Sequence, residues 1–260
     1  MRLHIKNNIP YYSFEKMQTT NLFSTRHGGV STGYQSTMNL DFNKDSKENV
    51  LENFRLLSTL GFEFESLTAI NQQHTNTVKP LTLADKGNKI STPDNFGIAY
   101  GFVTNSPDIT LVTTYADCTP LYFYDSIKKV IGLSHAGWRG TVDNIAKNTI
   151  DVMVSNYGSN PKDIVAGIGP CIGSCCFYVD TPVYDEFVAK LPFSKDHIIK
   201  EGEKYRINLS EINKINMLNQ GLKEDNIEVA NICTCCNNEM FHTHRKSGLN
   251  RGCMVAMMRL

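Results

Sequence analysis

Two strand-like runs separated by a short turn place the tightest limit on how this chain folds. "PLYFYD" (120–125) and "KKVIGLSHAGW" (128–138) are rich in β-branched and aromatic residues and meet at "DSIK", which reads as a strand pair. A helical stripe follows at once: in "TVDNIAKNTIDVMVSNYG", Val142, Ile145, Ala146, Thr149, Met153 and Tyr157 share one face, and Gly158 ends the run. A paired strand feeding a helix needs both a sheet neighbour and a covering layer. Upstream, "SKENVLENFRLLSTLG" repeats apolar residues at three- and four-residue spacing and stops at Gly61, a second helix. "SLTAINQQH" (66–74) and "DITLVTTYADC" (108–118) read as strands, the first ending in His74 and the second in Cys118. A buried strand at "DIVAGIG", helices at "TPVYDEFVAKL" and "LSEINKINMLNQGL", and strands near "EVANICT" and "CMVAMM" complete the series. Interleaved helices and strands with hairpin pairs predict a layered α/β fold, a mixed sheet flanked by helices. No repeat, low-complexity tract or linker interrupts residues 1–260, so one domain is expected.

Charge and composition narrow the function classes. Lys+Arg and Asp+Glu balance at 26 each, which lacks the basic excess of a nucleic-acid binder, so no nucleic acid is expected as a partner. No run approaches the ~20 apolar residues of a membrane span, and "MRLHIKNNIPYYSF" has no apolar signal core. No membrane partner is therefore expected, and the expected address is the cytoplasm. Eight cysteines in a chain of this length, clustered and without a signal peptide, are expected as reduced thiols.

Three ligand-type side chains stand at strand ends. His74, Cys118 and His135 close three predicted strands, where open α/β sheets place ligand sites. Two imidazoles and a thiolate suit zinc or copper and leave a fourth position open, the pattern of a catalytic metal. The same residues fit other roles. Cys118 and His135 could act without metal as a thiolate–imidazolium pair of a cysteine hydrolase, and a histidine or cysteine at a strand end can also serve packing alone. Asp117 stands beside Cys118, either as an acid/base group or as an orienting carboxylate.

Arginines and a glycine pair suggest anion binding. Arg26 precedes "GG" in "STRHGGVSTG" and Asn39 follows it; Arg139, Arg245 and Arg251 are further guanidinium forks suited to phosphate. The cysteine runs "CIGSCC" and "CTCCN" could supply Cys171, Cys175, Cys233 and Cys235 to a structural zinc or an iron–sulfur cluster, or serve a redox or metal-sensing module. Those four lack CxxC spacing, and packing is the favoured reading.

Taken together, "STRHGGVS", "QQHTNTV", "ADCTPLYFYD", "GLSHAGWRGTV", "IGPCIGSCCFYV" and "RKSGLNRG" resemble the laccase-domain (multicopper polyphenol oxidase-like) family, from about residue 20 to the C-terminus. The resemblance implies a fold similar to cysteine-hydrolase-like deamidase toxins and His74, Cys118 and His135 as ligands of zinc, with copper in some accounts. It implies phosphorolysis of adenosine, inosine, guanosine and methylthioadenosine, with purine nucleosides and phosphate as small-molecule partners. Deamination of adenosine and oxidation of phenols are implied as well. In that frame Arg26 is the expected phosphate contact, Asn39 a ribose or phosphate donor, and Arg139 and Arg251 further substrate contacts. With seven His in the chain, a four-copper oxidase centre is not expected. "FHTHRKSGLNRG" departs from the family's tyrosine- and arginine-rich version by placing His242 and His244 there.

Overall fold

The computed structural model describes residues 1–72, 75–92 and 97–260. The expected hairpin is present: Thr119–Asp125 pairs antiparallel with Val130–Ala136, from Thr119 opposite Ala136 to Asp125 opposite Val130. Its turn is built by Asp125, whose Oδ1 accepts the N–H groups of Ile127 and Lys128 at 2.9 and 3.0 Å.

The predicted mixed sheet exists twice. Among the described residues, one six-stranded sheet runs in the order Arg2–Lys6, Ile9–Ser13, Thr20–Ser24, Met254–Arg259, Thr110–Tyr115, Leu67–Ala69. The other runs Ile227–Val229, Ile164–Ile168, Thr119–Asp125, Val130–Ala136, Gly101–Thr104, Val78–Pro80. Each mixes antiparallel pairs with parallel ones at an edge. The sheets pack face to face through Phe23, Leu111, Tyr115, Met254 and Ala256 on one side and Phe102, Tyr122, Ile131 and Leu133 on the other. Alternation along Thr119–Asp125 sends Tyr122 and Tyr124 into this inner layer and Leu121 and Phe123 outward, where helix Ile145–Tyr157 covers them. Helix Lys47–Ser58, with Ser46 capping Asn49 N–H, covers the outer face of the first sheet through Val50, Phe54 and Leu57. All four layers are thereby buried on their inward faces, each large side chain contributing about 1.5–3 kcal/mol.

One helix boundary differs from expectation. The stripe predicted from Val142 splits: Trp138–Val142 is a short helix, and Ile145–Tyr157 starts anew at Asn144, which takes φ +53° and caps Lys147 N–H. Val142 consequently packs with Ile172, Phe187 and Ile207 rather than with the stripe. No described helix is long and apolar enough to cross a membrane.

Candidate functional site

The hairpin places Cys118 and His135 side by side. Cys118 immediately precedes Thr119, and His135 pairs with Pro120 across the ladder, so both stand at the same end of adjacent strands. A methyl carbon placed on Gly137 would stand 3.1 Å from Cys118 Sγ, 3.2 Å from Tyr100 Oη and 3.9 Å from His135 Nε2. Thiol, phenol and imidazole thus flank one small space that a glycine keeps open. It belongs to a cavity of about 320 Å³, lined also by Gln72, Lys89, Tyr115, Asn43 and Arg251, a size suited to a small ligand.

The imidazole is held on three sides. The ring of Tyr115 lies parallel to His135 at 4.7 Å and 7°, and Tyr100 lies 4.7 Å away at 39°. Gln72 Oε1 accepts from Thr114 N and Oγ1 at 2.7 and 2.8 Å, and its Nε2 donates to Thr114 O at 3.2 Å. With the amide fixed that way, Gln72 Nε2 donates to His135 Nδ1 at 2.5 Å. The Nδ1 of His135 therefore accepts, and the neutral ring carries its proton on Nε2.

Electrostatics separate the cavity's groups. Burial pushes the Cys118 thiol up to about 12, Asp117 and Cys171 add to the rise, and Arg251 opposes it. Burial and the neighbouring Cys118 also raise Tyr100, keeping it a neutral phenol.

Arg251 lies in the cavity wall, with Nη1 donating to Gly252 O at 3.1 Å and to Cys253 Sγ at 3.0 Å. His74 lies outside the described residues. The remaining expected residues stand away from the lining that the described residues form. Asp117 takes φ +86° and accepts from Thr234 Oγ1 at 2.6 Å, Thr243 Oγ1 at 3.0 Å and Arg245 N at 2.7 Å. Its carboxylate is engaged by the loops behind the cavity. Arg26 donates to the carbonyls of Ser36 and Asn238 at 3.2 and 3.0 Å, and Asn39 bonds Asp41 and Cys253 backbone while fully buried. The glycines beside Arg26 serve packing: a Cβ on Gly29 would stand 2.4 Å from Thr37 O. Arg139 is exposed and stacks on Trp138 at 4.1 Å, beside a separate shallow depression.

Sequence reasoning missed Gln72, Tyr100, Tyr115 and Lys89. Gln72 lies in the quoted "QQH" segment, and its place two residues before His74 was the one available signal.

Fold and cavity define a four-layer α/β protein with a thiol–imidazole site at its strand ends. The sequence model of the family described as multi-copper polyphenol oxidoreductase laccase matches residues 20–260, and the chain belongs to that family. It is 32% identical over 241 residues to a Bacillus subtilis protein named purine nucleoside phosphorylase YlmD, covering 91% of this chain and 86% of that one. The crystal structure of Bacillus licheniformis hypothetical protein YfiH superposes with TM-score 0.89 at 32% identity, covering 94% of this chain and 93% of that one. The crystal structure of YlmD from Geobacillus stearothermophilus gives 0.87 at 30% identity, covering 93% and 91%.

Proposed function

We propose that this chain is a metal-dependent purine nucleoside enzyme. It splits adenosine, inosine, guanosine and methylthioadenosine with phosphate into free base and ribose 1-phosphate, and deaminates adenosine to inosine. The observation that carries this reading is the joint placement of Cys118, His135 and Arg251 in one cavity. The names of the relatives support the substrate class.

The donor set fits zinc, with copper as the alternative ion. A thiol and an imidazole face the space beside Gly137, and a thiol raised by burial ionises there when a cation stands next to it. Cys118 and His135, with His74 as the third donor, would hold the ion. Zinc so held would supply a Lewis acid, the chemistry that can bring the pKa of water to about 7. For His135 Nε2 to serve as a donor the ring must take its other tautomer, the proton moving from Nε2 to Nδ1, and the Gln72 amide must turn so that its oxygen accepts that proton.

Arg251 holds the phosphate, its guanidinium aligning an oxygen with the ribose carbon as the glycosidic bond breaks and its electrons leave on the purine. Tyr100 and Tyr115 fix the imidazole plane. Asp117 acts as a positioning residue that sets the turn carrying Cys118. A metal-free thiolate–imidazolium pair is opposed by the burial that drives the Cys118 thiol up rather than down.

The test is incubation with adenosine, with and without phosphate, and resolution of the products. Adenine and ribose 1-phosphate forming only with phosphate, and inosine in both, are expected; neither product in either mixture overturns the reading.

A further inference from the structure

Two loops behind the cavity bring four other thiols together. The segment after strand Ile164–Ile168 supplies Cys175 and Cys176, and the segment after Ile227–Val229 supplies Cys233 and Cys236. Their sulfurs all lie within 4.8 Å of one another. Cys236 Sγ stands 3.5 Å from both Cys175 Sγ and Cys176 Sγ. A tetrahedral zinc with Zn–S bonds of about 2.3 Å spaces its sulfurs roughly 3.8 Å apart. The four thiols are therefore spaced as ligands of a single ion, closer than thiolates splayed around the outside of an iron–sulfur cluster.

The backbone favours thiolate charge on Cys233. Gly173 N and Cys236 N donate to Cys233 Sγ at 3.2 and 3.4 Å, the kind of outer contact that orients and stabilises a metal-bound sulfur. Cys175 and Cys236 are exposed, which gives an ion a way in.

Sequence proximity groups Cys171 and Cys235 with Cys175 and Cys233. The structure corrects it: Cys171 is buried and contacts Ser210 Oγ at 3.1 Å, and Cys235 packs against the Phe177 cluster. The residues that meet are Cys233 and Cys236, a CxxC pair present in the sequence, and the adjacent Cys175 and Cys176.

We propose that Cys175, Cys176, Cys233 and Cys236 form a structural zinc site, separate from the cavity and sharing no ligand with it. Zinc replaces the thiol protons, which pass to solvent, and leaves four Zn–S bonds with no change of oxidation state. Its position gives it a mechanical role. Thr234, next to Cys233, donates to Asp117, and Ile172 N donates to Asp117 O at 2.8 Å. The turn beyond Cys236 receives Arg26 and His27 on the carbonyls of Asn238, Met240 and Glu239. One ion between the loops braces the turn that carries Cys118.

The test compares wild-type protein with C118S and C176S/C236S, all full-length, expressed with added zinc and kept reduced. Metal is measured per chain by mass spectrometry, and Co²⁺ replaces zinc for optical spectra. We expect C118S to retain about one zinc per chain and an intense thiolate-to-cobalt charge-transfer band, and C176S/C236S to lose one equivalent and that band. C118S without zinc, C176S/C236S with wild-type zinc content, or iron in place of zinc overturns the proposal. A measurement on wild-type protein stands independent of how the double variant folds. Alkylation should spare these four thiols until a chelator is added, and equal labelling before and after chelation, or a disulfide among them, overturns it. Loss of nucleoside activity in C118S with this zinc retained separates the two sites.

Discussion

Thr234 donates a hydrogen bond to Asp117 at 2.6 Å, so the residue after Cys233 holds the residue before Cys118. Thr243 Oγ1 and Arg245 N fill the other carboxylate oxygen. In Asp117→Asn the amide nitrogen cannot accept those bonds, while asparagine still tolerates φ +86°. A buried donor left unpaired costs about 1–3 kcal/mol. We expect D117N to fold with a lower melting temperature and a reduced kcat, its pH–rate profile keeping the wild-type shape. An unchanged melting temperature together with the loss of one limb of that profile would make Asp117 the proton-transfer group instead.

Gly137 takes φ −64°, so an alanine there meets no backbone strain. Its methyl would enter the space between Cys118 Sγ, Tyr100 Oη and His135 Nε2. We expect Gly137→Ala to keep the fold, seen by circular dichroism, and to lower kcat/KM on the order of 10²-fold, the effect of displacing reacting groups by about 1 Å. Full activity in a folded G137A protein would move the chemistry elsewhere.

Arg251 is the expected arginine that the structure brings to the cavity. Removing one charge-assisted hydrogen bond costs about 1.5–3 kcal/mol, roughly 10–100-fold in binding. If the proposed function holds, Arg251→Ala should raise KM for phosphate by that factor in phosphorolysis and leave any phosphate-free deamination near its wild-type rate. Equal losses in both reactions would reassign Arg251 to the nucleoside or to Cys253, which it also contacts.

The hairpin of Thr119–Asp125 and Val130–Ala136 was legible because a turn-forming aspartate and two aromatic or β-branched runs are local signals. Helix Ile145–Tyr157 was legible for the same reason, and its start was not, because Asn144 breaks the stripe through a left-handed conformation that periodicity does not register. The cavity wall lay beyond reach. Tyr115 reads as an ordinary strand aromatic until the face-to-face sheets bring it flat against His135, which belongs to the other sheet. Arg26 misled for a complementary reason: a guanidinium beside two glycines suits an anion, yet the carbonyls of Ser36 and Asn238 reach it first. The thiol cluster depends on a meeting of loops about 60 residues apart, so its CxxC half carried no partner in sequence.

His242 gives the fold a pH dependence with a definite sign. Burial lowers its pKa to about 3, and the charges of Arg26 and Arg251 and the neighbouring His27 push the same way. The ring is 1% exposed; Nδ1 accepts from Gly252 N at 3.3 Å, and among the described residues Nε2 has no hydrogen-bond partner. Because the folded value lies below the unfolded value of about 6.5, the unfolded chain binds the proton first. Stability is fully present above about pH 6.5 and is lost as pH falls toward about 3, with a slope near 1.4 kcal/mol per pH unit from this one group. His242→Gln removes the titrating ring at some cost in packing. Urea denaturation between pH 7 and pH 5 should therefore show a shallower loss of unfolding free energy in H242Q than in the wild type; parallel curves would mean that His242 is already protonated in the folded chain or does not titrate differently on unfolding.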